Sequence, residues 1–141
     1  MTGSATTTGL MGEYITLATI LELGWRCGHA AQDGVDVIAW RGNDFMRIQV
    51  KSARLRKQSD RSAAVYHHQL GSGRDKKTRP DPSVYDILAR VAIDQRRVFF
   101  CAASTIEKLS ERRSPEFFDK IDLEYDSWHR AIRIVMETRN G

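Results

Sequence analysis

Residues 35–53, VDVIAWRGNDFMRIQVKSA, constrain the fold more than any other stretch of this chain. Apolar and polar residues alternate along 35–40 and again along 45–53, the pattern of strands with one covered face. RGND between them carries the turn residues of a tight hairpin. On the returning strand Ile48 and Val50 share one face, and Gln49 and Lys51 share the other. Two strands alone cannot bury such a face, so the rest of the chain must supply further strands and a covering layer.

The flanking sequence is read accordingly. GLMGEYITLATILELG predicts a helix whose apolar stripe, Leu10, Tyr14, Leu17, Ala18 and Leu21, packs inward and which stops at Gly24. Glu13 falls at the edge of that stripe, where a carboxylate needs a reason. WRCGHA (25–30) predicts a short strand. SVYDILARVA (83–92) predicts a second helix from the spacing of Val84, Ile87, Leu88 and Val91. RRVFFCAAS (96–104) reads as a buried strand, TIEKLSERR as a helix, and AIRIVME as a final strand. AAVYHHQL (63–70) is a small excursion strand. The expected order is α-β-β-β-α-β, a mixed α/β (α+β) sheet flanked by helices.

With 141 residues the chain fits a single domain, 1–141, of which residues 1–8 are a flexible polar leader. Neither a membrane-length apolar run nor a signal sequence is evident, so a cytoplasmic location is the expectation. Cys27 and Cys101 lie far apart without metal-ligand spacing and read as reduced core residues. The net charge is +4, yet residues 51–80 hold nine Lys and Arg against two Asp, which leaves the remainder acidic. A basic segment at 54–80 beside an acidic body points to a polyanion, nucleic acid being the commonest. In that reading Arg54, Arg56, Lys57 and Arg61 lie beside a cleft, and Arg74, Lys76, Lys77 and Arg79 reach along the phosphate backbone from a Gly-rich loop.

Glu13, Asp36, Gln49 and Lys51 then fall into a pattern. The hairpin brings Asp36 towards Gln49 and Lys51, with Glu13 reaching in from the first helix. This is the layout a metal-dependent phosphodiesterase needs: Asp36, Gln49 and the Val50 backbone carbonyl as oxygen ligands, Lys51 to orient or activate water, and Glu13 for a second ion or a bound water. Elsewhere, His67 and His68 are adjacent and point to opposite faces, so they cannot chelate together. His29 and His129 have no evident partner. Asp86 reads as structural or DNA-facing, and Trp25, Trp40 and Trp128 as core or interface.

The motifs GLMGEY, DGVDVIAW and RIQVKSA, together with VYDILARVAIDQRRVFF, resemble the PD-(D/E)XK nuclease superfamily. More narrowly they resemble its group I intron homing endonuclease branch and bacterial relatives, over residues 9 to about 103. The resemblance implies a restriction-endonuclease-like core and a Mg²⁺- or Mn²⁺-dependent DNA endonuclease with Glu13, Asp36, Gln49 and Lys51 as catalytic residues. A homodimer or higher homo-oligomer follows if both strands are cut, since a chain this small carries one site. Gln49 stands where most of the superfamily has Glu; its amide oxygen can bind a metal but brings no charge. Two alternatives stay open: a structure-selective nuclease resembling Holliday junction resolvases, and a catalytically silent DNA-binding subunit.

Overall fold

The computed structural model describes residues 4–73 and 76–141. Helix α1 (Ala5–Glu22) leads into strands β1 (Arg26–Gln32), β2 (Val35–Arg41) and β3 (Asp44–Ala53). These are followed by β4 (Tyr66–Gln69), β5 (Ile87–Ala92), β6 (Arg97–Ala102) and β7 (Ser110–Arg113), and helix α2 (Leu123–Asn140) closes the order. Five strands form one sheet in the order β1-β2-β3-β5-β6, and β4 with β7 forms a second, two-stranded sheet. All pairs in the large sheet are antiparallel except β3 with β5, which run parallel. The architecture is a mixed α+β fold with a five-stranded mixed sheet flanked by helices, as expected for a restriction-endonuclease-like core.

The central hairpin forms as its alternation requires. Val37, Ala39, Met46 and Ile48 are buried on one face, where Ile20 of α1 and Trp128, Ala131 and Val135 of α2 join them. The opposite face carries β4, β7 and their connections, with Tyr66 and Phe118 packed over Ala53 and Ala92. Buried ion pairs hold these layers together. Arg90 on β5 bonds Glu111 on β7 at 2.9 Å, and Arg113 bonds the same carboxylate oxygen at 2.7 Å. Asp86, buried at the entrance to β5, receives Arg47 from β3 and Arg139 from α2.

Four expectations change. The segment 83–92 is not a helix: Ile87–Ala92 is a central strand, every residue of it buried. A strand covered on both faces reads as a continuous apolar run, and in so short a run the helical spacing is accidental. TIEKLSERR is not helical either; after a 3₁₀ turn at Ala103–Thr105, Ser110–Arg113 pairs with β4. AIRIVME belongs to α2, whose buried Leu123, Ser127, Trp128, Ala131 and Val135 recur at helical spacing over a window longer than those seven residues. Finally, α1 exists, but its expected inward stripe faces outward. Gly12, Thr16 and Ile20 are buried instead, while Leu10, Tyr14 and Leu21 are exposed.

Close approach explains the reversed helix. A Cβ at Gly12 would collide with Ser52 Oγ on β3, so only glycine lets α1 lie this near the sheet. Gly12→Val is expected to cost about 2–3 kcal/mol of stability, read by urea unfolding.

Glu111 makes stability pH-dependent. Burial alone would raise its carboxyl, but the hydrogen bonds from Arg90 and Arg113 outweigh burial and hold it below the usual range. A depressed carboxylate contributes stability above its unfolded pKa of about 4.3, and that contribution is lost as pH falls through its folded value. Glu111→Gln is expected to cost about 2–4 kcal/mol at pH 7, because it strands the buried Arg90 charge, and to flatten the acid loss of stability below about pH 5 in denaturation curves.

Candidate functional site

The β2–β3 ladder runs from Arg41–Asp44 to Val37–Ile48, and Asp36 lies one residue beyond its end. There the strands part, and the Asp36 carboxylate accepts the Val50 N–H at 2.8 Å in place of a main-chain carbonyl. In an extended strand the N–H and C=O of one residue leave on the same side, so the Val50 carbonyl also faces Asp36. Gln49 and Lys51 sit on alternate positions from Ile48 and Val50, in register with Leu88 and Arg90 of β5. The face expected for this pair is the face observed.

Glu13 comes to the same end of the sheet from α1. Its Oε1 lies 3.2 Å from His29 Nδ1 on β1. Burial raises the Glu13 carboxyl, the neighbouring Asp36 charge raises it further, and His29 opposes both. The two carboxylates are therefore electrostatic neighbours. His29, which had no visible partner in the sequence, proves to be the residue that holds Glu13; only the packing of α1 over β1 brings them together, and Tyr14 stacks edge-on against the same imidazole at 5.2 Å.

Lys51 occupies the junction of two clefts. One, of about 240 Å³, is lined by Gly34, Gln49, Lys51, Lys77 and Arg79. The other, of about 530 Å³, runs between the start of α1 and the basic segment and is lined by Thr8, Lys51, Arg54, Arg56, Lys57 and His67. Burial pushes the Lys51 ammonium below its usual value, the charge of Lys77 pushes the same way, and Asp36 pulls it back up.

The basic residues divide by role. Arg54 is half-buried, its Nε donating to Thr8 Oγ1 at 3.0 Å, so it braces the start of α1 as well as lining the groove. Arg56, Lys57, Arg61, Lys76, Lys77 and Arg79 are exposed. Lys77 Nζ donates to the Gly73 carbonyl at 2.6 Å, and Ser72 pairs with Thr78, which closes the loop from below. Arg74 lies outside the described residues. Arg112 joins this edge unannounced by the sequence. The β4–β7 register sets it opposite His67, and its guanidinium meets the Gln58 amide.

The remaining candidates resolve as follows. His67 is exposed and lines the groove, whereas His68 is buried, donates from Nε2 to the Val91 carbonyl at 2.9 Å, and is pushed down to about 4 by burial. Asp86 is structural, and Trp25 and Trp128 stack in the core at 5.4 Å. Trp40 is partly exposed on the hairpin. Both cysteines are free thiols. Among the described residues, no three His, Cys, Asp or Glu side chains gather as a metal cluster, and no helix is long and apolar enough to cross a membrane.

No protein-family model and no curated protein matches the chain. Among solved structures, that of a bacterial homing endonuclease, I-Ssp6803I, matches with a TM-score of 0.68 at 13% identity, covering 98% of this chain and 97% of that one. At this identity the likeness is one of fold, and it extends over essentially the whole chain.

Removing the Lys77 charge should let Lys51 titrate higher, and removing Asp36 should lower it. NMR of lysine side chains in Lys77→Gln and Asp36→Asn, in the absence of divalent ions, is expected to show shifts of opposite sign.

Proposed function

We propose that the chain is a metal-dependent DNA endonuclease. The observation that carries this reading is the bond from the Val50 N–H to Asp36 where β2 and β3 part, with Val50 lying between Gln49 and Lys51 and with Lys51 at the junction of two clefts lined by Lys and Arg. The fold shared with a homing endonuclease supports it.

The donor set fits a hard divalent cation. Asp36 keeps one oxygen free of the Val50 bond, and the Val50 carbonyl, the Gln49 amide oxygen and the Glu13 carboxylate oxygen not held by His29 would be the further oxygen donors. The mutual repulsion of Glu13 and Asp36 is the charge that a cation would relieve. Mg²⁺ or Mn²⁺ held by these residues would supply Lewis-acid neutralisation of the scissile phosphate and a lowered pKa for an attacking water.

The protein's own groups provide the rest. Lys51 presents a partly desolvated ammonium to the phosphate, and burial and the Lys77 charge, which push it below its usual value, make it a readier proton donor to water or a leaving oxygen than a solvated lysine. Gln49 orients through its amide without adding charge. Asp36 is fixed by the Val50 N–H, so it need not reorganise as substrate arrives. Arg56, Lys57, Arg61, Lys76, Lys77 and Arg79 grip phosphates on either side without reading bases. A duplex has two strands and each copy has one site, so double-strand cleavage calls for at least two copies.

A second reading, a DNA-binding subunit without cleavage, is favoured by a single feature, the uncharged Gln49 among only two carboxylates. Cleavage of duplex, branched and single-stranded DNA with Mg²⁺ or Mn²⁺ separates the two, and a preference for branched DNA marks the junction-resolving form. Asp36→Ala and Lys51→Ala are each expected to lower cleavage at least about a hundredfold while leaving DNA binding within a few-fold. Gln49→Glu is expected to lower the metal concentration needed for half-maximal rate. Absence of cleavage on all three DNAs, with salt-sensitive binding retained, would mean the silent reading is correct.

A further inference from the structure

Helix α1 is apolar nearly all round. Its 18 residues include just two charged side chains, Glu13 and Glu22. One face is used against the sheet through Gly12, Thr16 and Ile20. The opposite face is also apolar: Leu10 is 47% exposed, Tyr14 59% and Leu21 57%, with half-buried Leu17 completing the row. A helix that is apolar on both sides is normally buried on both. The surface continues through Ala18 into a groove of about 610 Å³ that leads to Ile121 and Tyr125 at the start of α2 and is also lined by Glu22, Arg96, Arg97, Asp122 and Glu124. Ile121 is 92% exposed and Tyr125 60%. Five of the eight large hydrophobic residues exposed among the described residues thus lie on this helical side of the molecule.

The chemistry of the face limits its occupant. It has no Lys or Arg on α1, and in the groove Arg96 and Arg97 are outnumbered by Glu22, Asp122 and Glu124, the last paired with Arg97, so it suits neither nucleic acid nor an anionic lipid surface. The spacing selects a second copy of this chain. Leu10, Tyr14, Leu17 and Leu21 are separated by four, three and four residues, the seam of a helix pair. That spacing reads the same in both directions. An antiparallel twofold therefore brings Leu10 of one copy against Leu21 of the other and Tyr14 against Leu17, so the row is complementary to itself. Ala18 beside the seam allows close approach. The exposed parts of the five large side chains come to roughly 600 Å² per copy, or about 1,200 Å² across a twofold, the lower end for a stable interface.

We propose that the outer face of α1, continued by Ile121 and Tyr125, is the surface through which two copies of this chain associate. Association as such belongs to the nuclease reading above; the surface is assigned here from packing alone and is tested without DNA, metal or cleavage. A loss of activity therefore cannot be mistaken for its failure.

Sedimentation of the purified full chain at micromolar concentrations is expected to give a dimer or a multiple of it. Tyr14→Glu and Leu21→Glu, at exposed positions that leave the core intact, should each weaken association roughly a hundredfold and shift the mass to monomer with unchanged circular dichroism. Phe45→Ser, which removes an exposed aromatic on the β2–β3 hairpin, should leave the mass unchanged. As an independent measurement, Leu10→Cys combined with Leu21→Cys should form a covalent dimer on mild oxidation. A wild-type chain that stays monomeric at these concentrations overturns the proposal, as does an oligomer that survives both glutamate substitutions. So does a monomer that uses α1 to bind a different protein.

Discussion

The hydrogen bond from the Val50 N–H to Asp36 at 2.8 Å is the constraint around which the site is organised. A β ladder normally continues by exchanging main-chain bonds. Here a side chain takes over as acceptor, so β2 and β3 can diverge without leaving a buried donor unsatisfied. Beyond that divergence Gln49 and Lys51 flank Val50 on the strand that Asp36 holds, and the second Asp36 oxygen is left free of that bond. The bond thus closes the fold at that end of the sheet and orients the carboxylate at once.

Charge is segregated about this point. Basic-segment residues and Lys51 line the clefts, Arg112 stands opposite the cleft-lining His67, and α1, whose start borders the larger cleft, carries two glutamates and no cation. Such an arrangement focuses positive potential on the concave side, where a polyanion would be drawn in and the desolvated Lys51 is worth most. Buried ionic ties keep the pieces in place: Arg90 with Glu111 fastens the small sheet, and Asp86 with Arg47 and Arg139 fastens the end of α2.

Much of the site could be read in the chain because it depends on local alternation. The positions of Asp36, Gln49 and Lys51 relative to the core follow from period-two patterning within one hairpin, and period two survives folding. Glu13 lies at the edge of the expected stripe and also at the edge of the observed buried face, Gly12, Thr16 and Ile20, so its position survives the change of face. Hydrophobic mass favoured Leu10, Tyr14 and Leu21 as the inner stripe, whereas backbone approach over Ser52 required the small Gly12 and Thr16. The sequence of β5 has helical spacing by accident, because a strand buried on both faces has no polar alternation to reveal it. His29 beside Glu13, and Arg112 beside Gln58, bring together residues distant in the chain, and no local pattern marks either pairing.

By itself the sequence determined a mixed α+β domain, its central hairpin, the face shared by Gln49 and Lys51, and a basic segment leaving that strand. These are properties of neighbouring residues, set by side-chain alternation and charge. The tertiary structure decided that β5 runs parallel beside β3, that Asp36 caps Val50, that His29 holds Glu13, and that α1 leaves an apolar face uncovered. Each of these depends on how closely two separate elements can approach, which steric fit between distant residues determines and local periodicity does not.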